Sequence, residues 1–222
     1  FADGFVDEKD GSFVTVCEDH SIPSPDSVKT SIVRIVPPRG PGEKAQVITL
    51  IEGSDFYHSP RQNPADPSKF AFVAYDHPNM PWDRTKLYVH ETISDERDDK
   101  GKLAAKEHRG KNKLISDEGN SIVQVRYSAT GALFWMDDRN GFWNLYCCNP
   151  DEKELNVVAV WSSPPPKVDM AGPHWQLGQS FYDFIDAERI VIKFKQTLGI
   201  LHLKKKSFEA FDLPFTLFRQ IC

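Results

Sequence analysis

No apolar run in these 222 residues approaches the length needed to span a bilayer, so a membrane-spanning helix is not expected. There is no C-x-x-C pair and no N-x-S/T sequon. Glycine-rich phosphate loops are missing too, because Gly40-Pro41-Gly42 lacks the lysine and the strand–helix setting such loops need. The seven histidines are scattered, with no close helical pair of the kind that builds a zinc site, so neither metal nor cofactor is expected. A net charge of −5 is mild and argues against nucleic acid as a partner. Phe1 to Gly11 is acidic and has no apolar core, so no secretory leader is expected. The chain begins with Phe1 rather than Met, and is expected to be processed or part of a longer protein.

The four cysteines are Cys17, Cys147, Cys148 and Cys222. Adjacent strand residues point to opposite faces, which places Cys147 and Cys148 poorly for a mutual disulfide. Reduced thiols and a cytoplasmic location follow as expectations. Glu18-Asp19-His20 offers an acid beside a base, but no serine or cysteine nearby has an activating context, so it is read as turn chemistry. His202 is read as a packed core histidine.

What is present is repetition. Around "MDDRNGFWNLYCCN", residues 136–149, apolar runs flank the polar turn Asp137 to Gly141, a hairpin signal. Residues 74–91, "AYDHPNMPWDRTKLYVHE", repeat the pattern, with Asp76 over Asp137 and Leu87-Tyr88 over Leu145-Tyr146. Arg61 falls on Arg126. A fainter copy places Asp19-His20 on Asp76-His77, and a fourth places Ile200-Leu201 on Leu145-Tyr146. The period, about sixty residues, is longer than a compact four-stranded blade requires, so long loops are expected. The charged stretch Ser94 to Asn120 is read as one such solvated loop, and proline-rich connectors lie at 37–44 and 162–173.

Phe70 to Tyr75 and Ala132 to Met136 are apolar on both faces, as strands buried between layers are. No long amphipathic helix appears. Repeated four-strand units, none able to bury both faces alone, predict an all-β fold. The architecture is a partial β-propeller of about four blades, in one domain over 1–222 with units roughly 1–53, 54–120, 121–168 and 169–222. A β-sandwich is the rival, but it needs no turn chemistry repeated at a fixed period.

"SATGALFWMDDRNGFWNLY" resembles a repeat of TolB-type propellers and of the N-terminal domains of prolyl oligopeptidase-family serine peptidases. "DFYHSPRQNP" with "FVAYDHPNMPWDRTKLYV", and then "GPHWQLGQSFYDFIDAERIV", resembles the dipeptidyl aminopeptidase/acylaminoacyl-peptidase branch of that family. The likeness runs from about Ser12 to Leu203. The family's usual Ser-Pro-Asp-Gly turn is replaced by Asn63 to Ser68 in one copy and Ser128 to Gly131 in another, both still turn-formers. The resemblance implies that short peptides lose N-terminal residues to a serine nucleophile carried by an α/β-hydrolase domain, while the propeller restricts access. No G-x-S-x-G elbow occurs within these 222 residues, so that hydrolase domain is not expected among them and no catalytic residue is assigned. This chain is therefore expected to filter peptides and dock the hydrolase domain, and to be inactive alone. The alternative is a free-standing propeller serving as a protein-binding scaffold. An open arc is expected to self-associate through its exposed blades.

The candidate partner- or substrate-facing residues lie in two loops. His77, Met80, Trp82 and Asp83 form one set, with apolar bulk between two prolines; Arg139, Phe142 and Trp143 form the other. If the blades share a register, both loops emerge on one face. For Trp82 the bland alternative is that it folds back over its own hairpin.

Overall fold

The computed structural model describes residues 1–24, 27–38, 40–97, 103–215, 218 and 221, with backbone alone at 94–97 and 103–109. Sixteen strands form four antiparallel sheets of four. The first sheet holds β1 (Ala2–Val6), β2 (Phe13–Asp19), β3 (Lys29–Val36) and β4 (Gln46–Ile51). The second holds β5 (Phe56–Gln62), β6 (Lys69–Tyr75), β7 (Lys86–Arg97) and β8 (Leu103–Ser116). The third holds β9 (Ile122–Tyr127), β10 (Leu133–Asp137), β11 (Asn144–Cys148) and β12 (Val158–Ala159). The fourth holds β13 (Tyr182–Phe184), β14 (Arg189–Phe194), β15 (Thr197–His202) and β16 (Ser207–Ala210). Within each sheet the strands pair in chain order, the up-and-down order of a propeller blade rather than the crossed connections of a sandwich.

The strands that are apolar on both faces explain how the sheets stack. In β10, Leu133 and Trp135 enter the core shared with the second sheet, whereas Phe134 and Met136 enter the core shared with the fourth. In β6, Ala71 and Val73 face the third sheet, and Phe70, Phe72 and Ala74 face the first. Cys147 and Cys148 likewise go to different cores and remain free thiols, as does Cys17. Cys222 lies outside the described residues. Four sheets thus share three cores, and among the described residues none joins the fourth sheet to the first. Among the described residues the sheets form an open propeller arc.

The innermost strands carry a second device. Asp3 in β1, Ser59 in β5 and Gln124 in β9 all have positive φ, at 58°, 53° and 46°, and each sits at a register shift against the neighbouring strand. A bulge re-aims its side chain out of the pleat, and here two of the three reach the next sheet. Asp3 accepts hydrogen bonds from the Ser59 backbone N–H (2.9 Å) and from Arg61 (2.7 Å). Gln124 donates to the Tyr182 carbonyl (2.6 Å) and to Ser180 Oγ (3.1 Å), and its own carbonyl oxygen accepts from the Phe181 N–H. Between the second and third sheets, Thr85 Oγ1 accepts from the Ile122 N–H at 2.7 Å.

Two expectations need correction. Ser94 to Asn120 is not a solvated loop: β7 and β8 run on as a long hairpin, pairing Ser94 with Arg109 and Arg97 with Leu103. A ladder needs only backbone donors and acceptors, so a ribbon in water can continue with no apolar pattern to announce it. Opposite charges face each other where the ribbon leaves the blade, as in the directly paired Glu91 and Lys111 at 3.2 Å. Residues 98–102 lie outside the described ones. His202 is not a core residue either, because it ends β15 half-buried with its ring 3.3 Å from Glu209.

Replacing the Gln124 staple with Ala leaves the buried Phe181 N–H and Tyr182 carbonyl without those partners. The expected cost is about 3 kcal/mol in urea unfolding, with amide-exchange protection lost first across β13–β16. An unchanged midpoint would show that the staple does not hold the fourth sheet.

Candidate functional site

The β6–β7 and β10–β11 loops do emerge on the same end of the arc, and a short bridge joins them. Trp143 Nε1 donates to Ser121 Oγ (3.2 Å), which donates to the Pro81 carbonyl (2.8 Å). The candidate residues divide into those that close the loops and those that stand out. Asp83 is exposed and accepts from the Met80 N–H at 2.9 Å within its own loop. His77 packs edge-on against Phe56 at 4.9 Å, and its N–H donates to Asp55. Arg139 does not project toward a partner. It is folded onto the fully buried Asp137 through Nε (2.9 Å) and Nη2 (2.5 Å), reaches Ser116 Oγ, and lies over the Tyr146 ring. Phe142 and Trp143 are half-buried, and Trp143 packs on the core shared by the third and fourth sheets.

Two of the three repeated aspartates close their own turns, as their spacing suggested. Asp19 accepts from the Ser21 N–H (2.9 Å), and Asp137 accepts from the Arg139 N–H (2.8 Å). Asp76 reaches back to the Asp55 N–H at 3.0 Å. His20 pairs with Glu18 in solvent, while Ser21 donates to Asp19 rather than to His20, so no nucleophile is activated there.

Met80 is exposed and Trp82 is half-buried. Trp82 neither stands free nor folds over its own hairpin. Its ring lies tilted by 40° against that of Trp175, centres 4.3 Å apart; Trp175 comes from the long connection between the third and fourth sheets and is 71% exposed. Trp175 and the exposed Leu177 extend the apolar surface begun by Met80. Trp175 lies outside both expected loops; the signal for it in the sequence is a tryptophan in the turn-rich segment between Pro173 and Gly178.

Beneath that surface lies a cavity of about 220 Å³ between the first sheet, the second sheet and the segment His174–Leu177. Its walls include Val16, Phe56, Tyr57, Tyr75, Trp175 and Leu177. Two buried histidines, His58 and His174, meet there edge to face with ring centres 5.3 Å apart. Ser59 Oγ is 3.1 Å from His58 Nδ1, but the pair is sealed from solvent, which makes it a packing contact rather than an activated serine. His58 Nε2 and both ring nitrogens of His174 have no partner.

Burial disfavours the charged imidazolium. It holds His58 well below the ordinary value of 6.5, with His174 and Arg61 adding to the effect, and it lowers His174 to about 4. The folded state therefore prefers both rings neutral. Above pH 6.5 this costs nothing, because the unfolded chain is neutral as well. As pH falls below 6.5 the unfolded chain takes up protons first, so stability is lost progressively down to about pH 4. For His174 the loss is expected to approach about 3 kcal/mol. Urea midpoints taken between pH 8 and pH 4 check this, and the variant His174→Phe is expected to flatten the curve. Parallel curves for the two proteins would overturn the assignment.

No family model matches the chain, and no curated protein matches it. Solved structures do. Puromycin hydrolase aligns with 97% of this chain at a TM-score of 0.76 and 21% identity. A Mycobacterium tuberculosis puromycin-hydrolyzing peptidase gives the same coverage and TM-score at 22% identity. A serine-to-alanine mutant of puromycin hydrolase complexed with PGG reaches a TM-score of 0.79 at 22% identity. At such identities the likeness establishes the fold, a β-propeller. The chain spans 31% of the length of each of these three structures.

Proposed function

We infer that the chain is the non-catalytic propeller portion of a prolyl oligopeptidase-family serine peptidase, close to the dipeptidyl aminopeptidase/acylaminoacyl-peptidase branch. The observation that carries this reading is the propeller likeness over 97% of the chain to peptide- and puromycin-cleaving enzymes of which it spans only 31%. The motif resemblance at residues 55–91 supports the branch. In this role the chain restricts access to short peptides and docks an α/β-hydrolase domain that supplies the serine. Free thiols at Cys17, Cys147 and Cys148 support placing the protein in the cytoplasm. Two measurements test the reading. The native polypeptide in its source is expected to be heavier than 25.3 kDa, with room for a further domain of up to about 250 residues. The pure 222-residue chain is expected to release nothing from aminoacyl or acyl-aminoacyl substrates. Hydrolysis by the pure chain, blocked by a serine-directed inhibitor, would overturn it.

A second reading, a free-standing scaffold that binds proteins, rests on the exposed Trp175 beside Met80 and Leu177. Solution behaviour separates the two. Val6, Phe13, Ile35 and Val47 are directly paired across all four strands of the first sheet, with Val6 and Val47 more than half exposed. An arc with that row uncovered is expected to self-associate through a second copy, and Phe13→Asp with Val47→Asp to yield monomers in sedimentation. A monomeric parent chain at tens of micromolar would favour the scaffold.

A further inference from the structure

The cavity between the first two sheets contains more polar capacity than its own residues satisfy. Three imidazole nitrogens from His58 and His174 are buried without partners, although buried polar groups are almost always paired. The surrounding wall is aromatic: Phe56 stacks on Tyr75 at 4.8 Å, and Tyr57 and Trp175 line the same space. Glu18 is the one carboxylate in the lining, and its side chain is more than half exposed and turned to His20. The volume of about 220 Å³ exceeds the roughly 150 Å³ that holds a benzene ring.

One side of this space is a segment that belongs to no strand. His174 to Leu177 cross it as a strap, held through the His174 ring against His58 and the Trp175 ring against Trp82. A displaced strap would expose the aromatic walls and the two histidines together. A guest that fits must present a flat apolar body to the rings and, at its end, one group able both to donate and to accept. A neutral imidazole presents one donor and one acceptor, and burial keeps both rings neutral. A phenol meets both demands. A phenyl ring meets only the first, and a carboxylate or ammonium would be desolvated without an opposite charge.

We propose that this cavity is a binding pocket for a phenolic side chain, that of a tyrosyl residue in a peptide, closed by the Trp175 strap with the hydroxyl held between His58 and His174. The peptide context rests on the peptidase reading; the pocket itself does not, since both sheets and the strap belong to this chain.

Isothermal titration of the 222-residue chain with N-acetyl-L-tyrosinamide, and separately with N-acetyl-L-phenylalaninamide, tests it. Saturable 1:1 binding of the tyrosyl amide is expected, roughly tenfold or more tighter than the phenylalanyl amide, because the analogue leaves the ring nitrogens unpaired. His58→Phe is expected to erase that preference. Thr30→Trp, at a half-buried position in the cavity wall, is expected to abolish binding of both amides and serves if the histidine variant does not fold. Equal affinity for the two amides, no saturable binding of either, or binding that survives Thr30→Trp would each overturn the pocket. None of those results bears on whether the native protein carries a hydrolase domain, so the peptidase reading stands or falls separately.

Discussion

The arc depends on the bulged inner strands. Sheets that pack face to face are held mainly by apolar contact, which has no direction and tolerates sliding. Direction comes from polar atoms that leave one sheet and end on the backbone of the next. Asp3 and Gln124 do this from positive-φ positions, where the side chain is no longer constrained to the pleat. Each interaction is buried or partly buried, so each is costly to leave half-made. The apolar cores supply most of the driving force, and the staples select one stagger among the many that the cores would accept.

From this follows the division of labour along each strand. An inner strand spends residues on stapling, so the second and third strands must fill two cores at once. That is why β6 and β10 are apolar at nearly every position, and why Cys147 and Cys148 serve different cores. It is also why the arc has reactive ends. A blade's two faces are built alike, and the first sheet carries its apolar row of Val6, Phe13, Ile35 and Val47 whether or not anything covers it. The fourth sheet's corresponding outward row, Asp183, Val191, Ile200 and Glu209, ends in carboxylates on both sides and is a poorer surface for stacking.

The parts of this design that show in the sequence are those with a period. The two-faced strands recur, and an Asp stands at or just after the end of the second strand in three blades, so the repeat and much of its turn chemistry could be read directly. The staples could not. Asp3, Ser59 and Gln124 occupy the same place in three sheets but share no side-chain chemistry; what repeats is a backbone conformation that several polar residues can adopt. Only the arginines that follow Ser59 and Gln124, Arg61 and Arg126, marked the place. The long β7–β8 ribbon escaped because nothing apolar marks it. Arg139 was misplaced for a related reason. In a polar turn a charged residue is ordinarily solvated, and only the three-dimensional position of Asp137, fully buried and also bonded to Trp135, gives it a reason to turn inward.

The candidate site was half legible for the same reason. The Trp82 and Trp143 loops belong to the repeat and fell on one end of the arc. The strap bearing His174 and Trp175 belongs to a connection between blades, where the period lapses and its partners are decided by packing alone. It sets two imidazoles against each other in a low-dielectric space, an arrangement that gains little from mutual contact and lowers the tolerance of the fold to acid. A core built only for stability would have Phe or Leu at both positions, since an apolar pair of similar volume removes the unpaired nitrogens at no loss of packing. Neutral polar atoms kept inside an aromatic wall, under a segment held by ring contacts, are what a binding pocket requires and a packing core does not.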